Sequence, residues 1–318
     1  MVNNTIDVSI VIVCMNNLKN LYPCLDSIRK YTVVSYETLV VAYLFSKENL
    51  DKLRNDYSWI TIIESNEIRG FSENNNIALR QAKGKFCFIV NDDTFFDSQV
   101  IDKLVLTFEK LPKQVAVVSP NIKYPDGRPQ FCGRCDVSFW TYMKSTIGLK
   151  HKDSQYEEKN GIFKTYHIMG AAFLIKTDVF KSVNWFDEYY FFCPEDIALS
   201  TTLKSFGYSC YVNGDVTIYH VQGGSSLSLM QTATEPAHVK GSVVFYSGNS
   251  FIKKFVLISL QIIRSLVRAF IWKLIYCFKN DKKSKIKSQV YVNVAVGLLS
   301  SKTPKELFLK YYAKIQNK

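Results

Sequence analysis

The chain predicts an α/β fold: a doubly wound, mostly parallel sheet with helices on both faces, followed by a C-terminal helical amphipathic tail. Three observations carry this. Short apolar runs alternate with helical patterns from Val8 to Val90, as a parallel sheet covered by helices requires. The run Phe86-Cys87-Phe88-Ile89-Val90 ends abruptly in Asn91-Asp92-Asp93-Thr94, so paired carboxylates follow the C-terminal end of a buried strand. The positive charge is concentrated at one end: residues 1–239 carry −2 and residues 240–318 carry +14 of the net +12.

In order, Val8 to Cys14 reads as a first buried strand, broken by Asn16-Asn17, with an amphipathic helix to about Tyr31. Thr38 to Ala42 is a second strand, Lys47 to Asn55 a polar helix and Ile60 to Ile63 a third strand. Arg69-Gly70-Phe71 makes a turn, and Ser72 is placed to cap a helix running through Asn76 to Ala82. The strand ending at Val90 is fourth, followed by a helix from Val100 to Lys110 and a strand from Val115 to Ser119. Residues 121–165 read as a long loop, with a turn at Pro125-Asp126-Gly127. Order returns at Ile168 to Ile175. Glu195-Asp196 precede a helix ending near Phe206-Gly207, and two separate strands are expected at Tyr208–Val212 and Val216–His220.

A chain of 318 residues, 47% hydrophobic and 21% charged, can bury a large core with room for an appendage. The predicted division is a domain at 1–239, with halves at about 1–95 and 96–239, and a basic tail at 240–318. A basic module confined to one end argues against a nucleic-acid groove spread over the whole protein. Cys14, Cys87 and Cys210 lie in apolar runs, where buried thiols are ordinary, and a reducing cytoplasm is expected. Cys132-Gly133-Arg134-Cys135 is a CxxC without the second ligand pair a structural zinc needs. The N-terminus has no basic region before Val8–Cys14, so no export signal is expected.

From Phe251 to Phe278 an apolar stretch is interrupted by charge. On a helical wheel Lys253, Lys254, Gln261, Arg264, Ser265 and Arg268 fall within an arc of about 120°, opposite Phe255, Ile258, Ile262, Leu266 and Phe270. No uncharged stretch approaches the roughly 20 residues of a spanning helix, so the pattern predicts a helix lying in a membrane interface with its Lys and Arg toward anionic headgroups. Lys282-Lys283-Ser284-Lys285-Ile286-Lys287 adds a polybasic cluster. The competing expectation is a helix docked on the core with a solvated basic face.

The C-terminal edge of such a sheet is where open α/β folds bind ligands, and paired carboxylates there can hold a divalent cation that in turn holds a diphosphate. The same residues can also be read as turn-forming or helix-capping Asp. Asp196 likewise reads either as a general base or as an N-cap.

Several segments in consistent order resemble the family 2 glycosyltransferases, and among them the bacterial rhamnosyltransferase-like branch. The likeness covers residues 7–226. It rests on the opening strand through Asn16, Arg69-Gly70-Phe71-Ser72 through Asn76, Asn91-Asp92-Asp93-Thr94, Gly170 to Ile175, Phe186-Asp187-Glu188, Glu195-Asp196, and His220 with Gly223-Gly224-Ser225. The resemblance implies a GT-A fold, a nucleotide-sugar donor (UDP- or dTDP-sugar), a divalent cation (Mg²⁺ or Mn²⁺) and inversion at the anomeric carbon. It implies Asp93 as metal ligand with His220 completing the shell, and Asp196 as base with Glu195 orienting it or the acceptor. Cys14, Asn16, Arg69, Asn76, Asn91 and Asp92 would bind the donor, and Trp185 would pack on the acceptor sugar. Where the family carries Thr-Tyr-Asn and a strand-ending Asp, this chain has Cys14-Met15-Asn16 and Ala42-Tyr43, a less polar base pocket in which Tyr43 is placed to stack. The expected protein is cytoplasmic and peripheral at the inner face of the cell membrane, acting on a polyprenyl-linked saccharide. A catalytically inactive membrane-bound scaffold and a nucleotidyltransferase are the alternatives. Against the latter, Cys14 to Leu21 contains no glycine for a triphosphate loop.

Overall fold

A computed structural model describes residues 5–149, 159–221 and 229–316. The elements run β1 (Val8–Met15), α1 (Leu18–Tyr31), β2 (Tyr36–Tyr43), α2 (Lys47–Asp56), β3 (Thr61–Ser65), α3 (Phe71–Leu79), β4 (Phe86–Asn91), β5 (Thr94–Phe95), α4 (Val100–Glu109) and β6 (Val115–Lys123). They continue with β7 (Gly133–Arg134), α5 (Phe139–Thr146), β8 (Ile162–Thr165), β9 (His167–Ile168), β10 (Ala172–Lys176), α6 (Thr177–Ser182), α7 (Glu195–Ser205) and β11 (Ser209–His220). Four helices close the chain: α8 (Gln231–Ser247), α9 (Phe251–Lys279), α10 (Lys282–Leu299) and α11 (Pro304–Gln316).

The main sheet orders as β3-β2-β1-β4-β10-β6-β11-β5, with β8 also on β11. β1, β2, β3 and β4 are parallel, β10 is inserted antiparallel between β4 and β6, and β6 and β11 are parallel. The central strand β1 is buried along both faces, which explains its continuous apolar sequence. Alternation divides its side chains: Ile10 and Ile12 join a core with Leu21, Leu25 and Leu104, while Val11 joins Ile89, Phe173, Phe180 and Leu203 on the other face. In α1 the buried Leu21, Cys24, Leu25 and Ile28 recur at the spacing of one helical face.

Three expectations are corrected. Residues 121–165 are not all loop. β6 runs to Lys123, and the Tyr124–Arg128 turn folds the chain back so that Gln130 N–H donates to Ile122 O at 2.8 Å, with β7, α5 and β8 beyond. The two strands expected at 208–220 are the single β11, with its irregularity between Asn213 and Thr217. Gly214 sits there because a Cβ would collide with the Lys159 carbonyl. Helix α3 begins at Phe71 and ends at Leu79: Gly70 is its N-cap, Glu73 accepts from Gly70 N–H at 3.0 Å, and Ser72 is buried inside the first turn.

The chain forms two compact units. One holds Met1–Asp136, Asp153–Asp187 and Asp196–Gly223; the other holds Val137–Lys152, Glu188–Glu195 and Gly224–Lys318. Residue 239, where the division was expected, lies inside α8, which packs with α9, α10 and α11. The second unit has its own small core of Val243, Leu257, Val294 and Leu298, flanked by Phe139 and Tyr142.

Within that unit α9 is oriented opposite to the simplest amphipathic expectation. Its packed face is Leu257, Gln261, Ser265 and Ala269, and Gln261 Nε2 donates to Tyr142 and Thr146 hydroxyls. Phe255, Ile263, Leu266, Val267, Phe270, Ile271, Leu274 and Phe278 stand exposed, each 43–89% accessible. The arc that meets the protein is the one holding Gln261 and Ser265, and the apolar arc is exposed together with Lys253, Lys254, Arg268 and Lys273.

Candidate active site

The site begins where β4 ends. Asn91 N–H donates to Ala171 O at 2.9 Å, holding the strand end against β10, and Asn91 O accepts from Thr94 Oγ1 at 2.8 Å. Asp92 and Asp93 turn the chain into β5, which pairs antiparallel with the end of β11 in the register His220↔Thr94. Val221 N–H donates to Asp93 O at 2.9 Å. This pairing brings the His220 ring to the Asp93 carboxylate, Nε2 to Oδ1 at 3.2 Å, with both side chains largely buried.

Gln130 fixes the state of that ring. Its Nε2 donates to the His220 carbonyl at 2.7 Å, and a carbonyl only accepts, so Gln130 Oε1 must be the atom 3.0 Å from His220 Nδ1. Nδ1 therefore carries a proton, and the lone pair of the neutral ring lies on Nε2, facing a carboxylate oxygen. Two acceptors so close need a positive charge between them, a proton or a metal ion. Cis ligands of an octahedral ion bound at about 2.1 Å stand roughly 3.0 Å apart, so this donor pair fits a divalent cation. Among the described residues no group of three or more His, Cys, Asp or Glu could hold a metal, so such an ion would draw its other ligands from substrate and water.

The remaining expected donor-side residues line the same edge. Burial pushes Asp92 up to about 6, with the Cys14 thiol opposing and the Asp93 charge assisting. Cys14 is fully buried, donates to Asn17 O at 3.4 Å, and burial raises its thiol far above the usual range. Asn16, at positive φ, accepts from Ser46 N–H (3.0 Å) and Asn49 Nδ2 (2.9 Å), tying the end of β1 to α2. Arg69 donates from its backbone to the Tyr43 hydroxyl and pairs with Glu67 at 2.7 Å.

Asp196, the second residue of α7, lies at the same sheet edge. Its Oδ2 accepts from Gly170 N–H at 3.3 Å, and Gly170 adjoins Ala171, the partner of Asn91. Arg134 Nη1 stands 3.4 Å from the same oxygen, and Oδ1 accepts from Ile197 N–H at 2.8 Å. The carboxylate is thus oriented by two strand-edge groups and also satisfies one donor of the first turn of α7, from inside the helix rather than as its N-cap. Glu195 precedes it, buried.

Two expected site residues are placed elsewhere or occupied. Both ends of the buried Asn76 amide are used on Phe186: Nδ2 donates to its carbonyl (2.9 Å) and Oδ1 accepts its N–H (3.1 Å), so Asn76 clasps α3 to the segment after α6 rather than facing a donor. Trp185 packs on Phe180 at 5.3 Å and lines a cavity with Gly84, Lys85 and Thr177, at the N-terminal end of β4 and away from Asp93. Gly223-Gly224-Ser225 lies outside the described residues. All eight cysteines are free thiols, including Cys132 and Cys135.

Gln130 and Arg134 are the two site residues the sequence reading missed. Both lie in the stretch read as loop. The only local signal was the Pro125-Asp126-Gly127 turn, which returns the chain along β6 toward His220.

With this geometry in place, the comparisons are informative. The chain belongs to glycosyltransferase family 2: the family model described as "Glycosyl transferase family 2" matches residues 9–183, more than half of its length. No curated protein sequence matches it. Among solved structures, GalNAc-T7 with UDP, GalNAc and Mn²⁺ is similar at 16% identity and TM-score 0.53. The match covers 72% of this chain but only 47% of that one. Mannosyltransferase PcManGT from Pyrobaculum calidifontis, in complex with GDP-Man and Mn²⁺, matches at 14% identity and TM-score 0.51 over 98% of this chain and 82% of its own. S. aureus TarS 1-349 matches at 15% identity and TM-score 0.50 over 92% and 90%. At these identities the likeness is one of fold: a GT-A-like, mostly parallel sheet flanked by helices.

Proposed function

We propose that the protein is an inverting glycosyltransferase that moves a sugar from a nucleoside-diphosphate sugar, a UDP- or dTDP-sugar, to a hydroxyl of a polyprenyl-linked saccharide in bacterial surface polysaccharide synthesis. Rhamnose is the first donor sugar to test. The observation that carries this reading is the Asp93–His220 pair, held in one ring state by Gln130 at the sheet edge that also bears Asp196.

A divalent cation held by Asp93 and His220, Mg²⁺ or Mn²⁺, would supply charge neutralisation for the donor diphosphate and the departing nucleoside diphosphate. Its presence in two structural neighbours supports this. The Asn91 carbonyl, accepting from Thr94 Oγ1, holds the turn that presents Asp93, and the half-buried Asn91 and Asp92 side chains would border the donor. Asp196 takes the proton of the acceptor hydroxyl as that oxygen bonds the anomeric carbon from the face opposite the leaving diphosphate. Arg134 and Gly170 N–H fix the direction in which the carboxylate points. Asn16, Arg69 and Tyr43 would border the nucleotide, the fully buried Cys14 would not reach it, and Glu195 would adjoin the acceptor.

The exposed apolar face of α9 supports a peripheral membrane location, which this reading puts on the cytoplasmic side. The helix is long and apolar enough to cross a membrane by length and composition. However, its other face is packed through polar Gln261 and Ser265, and an interfacial placement satisfies both faces. Concentrating the enzyme at the surface converts its search for a lipid-linked acceptor from three dimensions to two.

The test is a panel of nucleotide sugars with Mn²⁺, scored for transfer to a polyprenyl-linked acceptor. Asp93→Asn and Asp196→Asn should each abolish transfer with unchanged circular dichroism. Wild-type rates in both would remove the mechanism. Donor binding without turnover by any partner would favour the inactive scaffold.

A further inference from the structure

The second unit contains a cleft of about 270 Å³ between α8, α9 and α10, lined by none of the site residues assigned above. Arg264, Arg268 and Lys287 converge on it, with Glu235 as its one carboxylate, leaving a net charge of +2. Among the described residues none of the three cations forms an ion pair. Arg264 Nη1 reaches Gln261 Oε1 at 3.4 Å, Arg268 donates to the Tyr291 hydroxyl at 3.0 Å, and the Lys287 ammonium sits 3.8 Å over the Trp272 ring. Burial first and then the neighbouring Arg268 hold Arg264 below its ordinary value, against the opposing pull of Tyr291, Tyr142 and Glu235.

On α9 the exposed Ile263 and Val267 stand about 100° around the helix from Arg264 and Arg268, and the exposed Ile271 lies two turns beyond Arg264 on its own stripe. A ligand with a multiply charged head and an apolar chain matches both parts. Fork-shaped guanidinium groups suit phosphate oxygens, and a net +2 suits a dianion.

We infer that this cleft binds the phosphomonoester or diphosphate head of a membrane lipid whose chain lies along the exposed face of α9. The inference rests on the membrane reading of that face, and it turns a general basic attraction into a built headgroup site.

The test uses the full chain on phosphatidylcholine vesicles containing either phosphatidic acid or a charge-matched amount of phosphatidylglycerol, with inorganic pyrophosphate as a soluble probe. Wild type should prefer phosphatidic acid vesicles by about tenfold. Arg264→Gln/Lys287→Gln should abolish that preference, and so should Lys287→Gln alone, which guards against a fold defect at the half-buried arginine. Lys282→Gln/Lys283→Gln removes the same charge and should weaken both vesicle types equally, keeping the preference. A preference absent in wild type, or retained in the cleft variants, overturns the proposal. Pyrophosphate binding that the cleft variants lose, without any vesicle preference, overturns the lipid as its source. Vesicle binding unchanged in Leu266→Asp/Phe270→Asp would instead defeat the membrane reading, while the pyrophosphate arm still judges the cleft.

Discussion

Gln130 touches no substrate in the proposed mechanism, yet replacing it should damage the metal site. In Gln130→Leu two hydrogen bonds disappear, one to the His220 carbonyl at 2.7 Å and one from Nδ1–H at 3.0 Å. At about 1 kcal/mol each, their loss totals roughly 2 kcal/mol. The loss acts on binding because the ring is then free to adopt the tautomer with Nε2–H, which donates to Asp93 Oδ1 and competes with a cation for the same gap. Removing such an orienting partner typically costs ten- to hundredfold in metal affinity, about 1.4–2.7 kcal/mol, in agreement with the bond count. The assay is Mn²⁺ titration followed by electron paramagnetic resonance of the free ion. If Gln130 acts through His220, the double variant with His220→Ala binds no more weakly than His220→Ala alone. Mn²⁺ affinity within twofold of wild type in Gln130→Leu, or strict additivity in the double variant, refutes the tautomer argument.

Two further outcomes follow from the first unit. Asn76→Ala strands the buried N–H and C=O of Phe186, so unfolding free energy should fall by about 2–4 kcal/mol in urea titration while the donor KM stays within twofold; a selective rise in KM with full stability would restore Asn76 to the donor site. Burial holds the His167 imidazole below its ordinary 6.5, against the opposing charge of Asp136. The fold therefore favours the neutral ring, so its stabilising effect is complete above about pH 6.5 and declines as the pH falls below that value and the unfolded chain takes up the proton first. Urea midpoints at pH 7.5 and 5.5 should separate more in wild type than in His167→Gln; equal separations contradict the assignment.

The parallel half of the sheet was legible because each strand is a short, doubly buried apolar run between turn residues. Val8–Cys14 and Phe86–Val90 admit no other reading at that length. The carboxylates after β4 and the start of α7 at Glu195-Asp196 were legible for the same reason, since both punctuate strong patterns. The antiparallel additions were not. β5, β7 and β9 are two residues each and pair only with partners distant in sequence, so they have no local periodicity to detect. The link from Gln130 to His220 depends on the β6–β11 register, a tertiary fact. Asn76 misled in the opposite direction: its position fits a donor motif, but only the folded chain shows its amide committed to Phe186.

In α9 the helical wheel separated polar from apolar residues correctly but could not say which arc meets the protein. Gln261 is buried because Tyr142 and Thr146 offer it hydroxyls, Ser265 is buried one turn on, and this leaves eight apolar side chains exposed between Phe255 and Phe278. The consequence can be weighed. Half-burial of each in lipid contributes roughly 1 kcal/mol, so the apolar term is near 8 kcal/mol, whereas each basic residue near an anionic surface adds about 1 kcal/mol that salt removes. Raising salt to 1 M contracts the Debye length to about 3 Å and should strip the electrostatic part only. Vesicle binding should therefore weaken but persist at 1 M salt, and should also occur on purely zwitterionic vesicles. Complete release by salt in a flotation assay would mean that the apolar face is not inserted and that charge alone holds this protein to membranes.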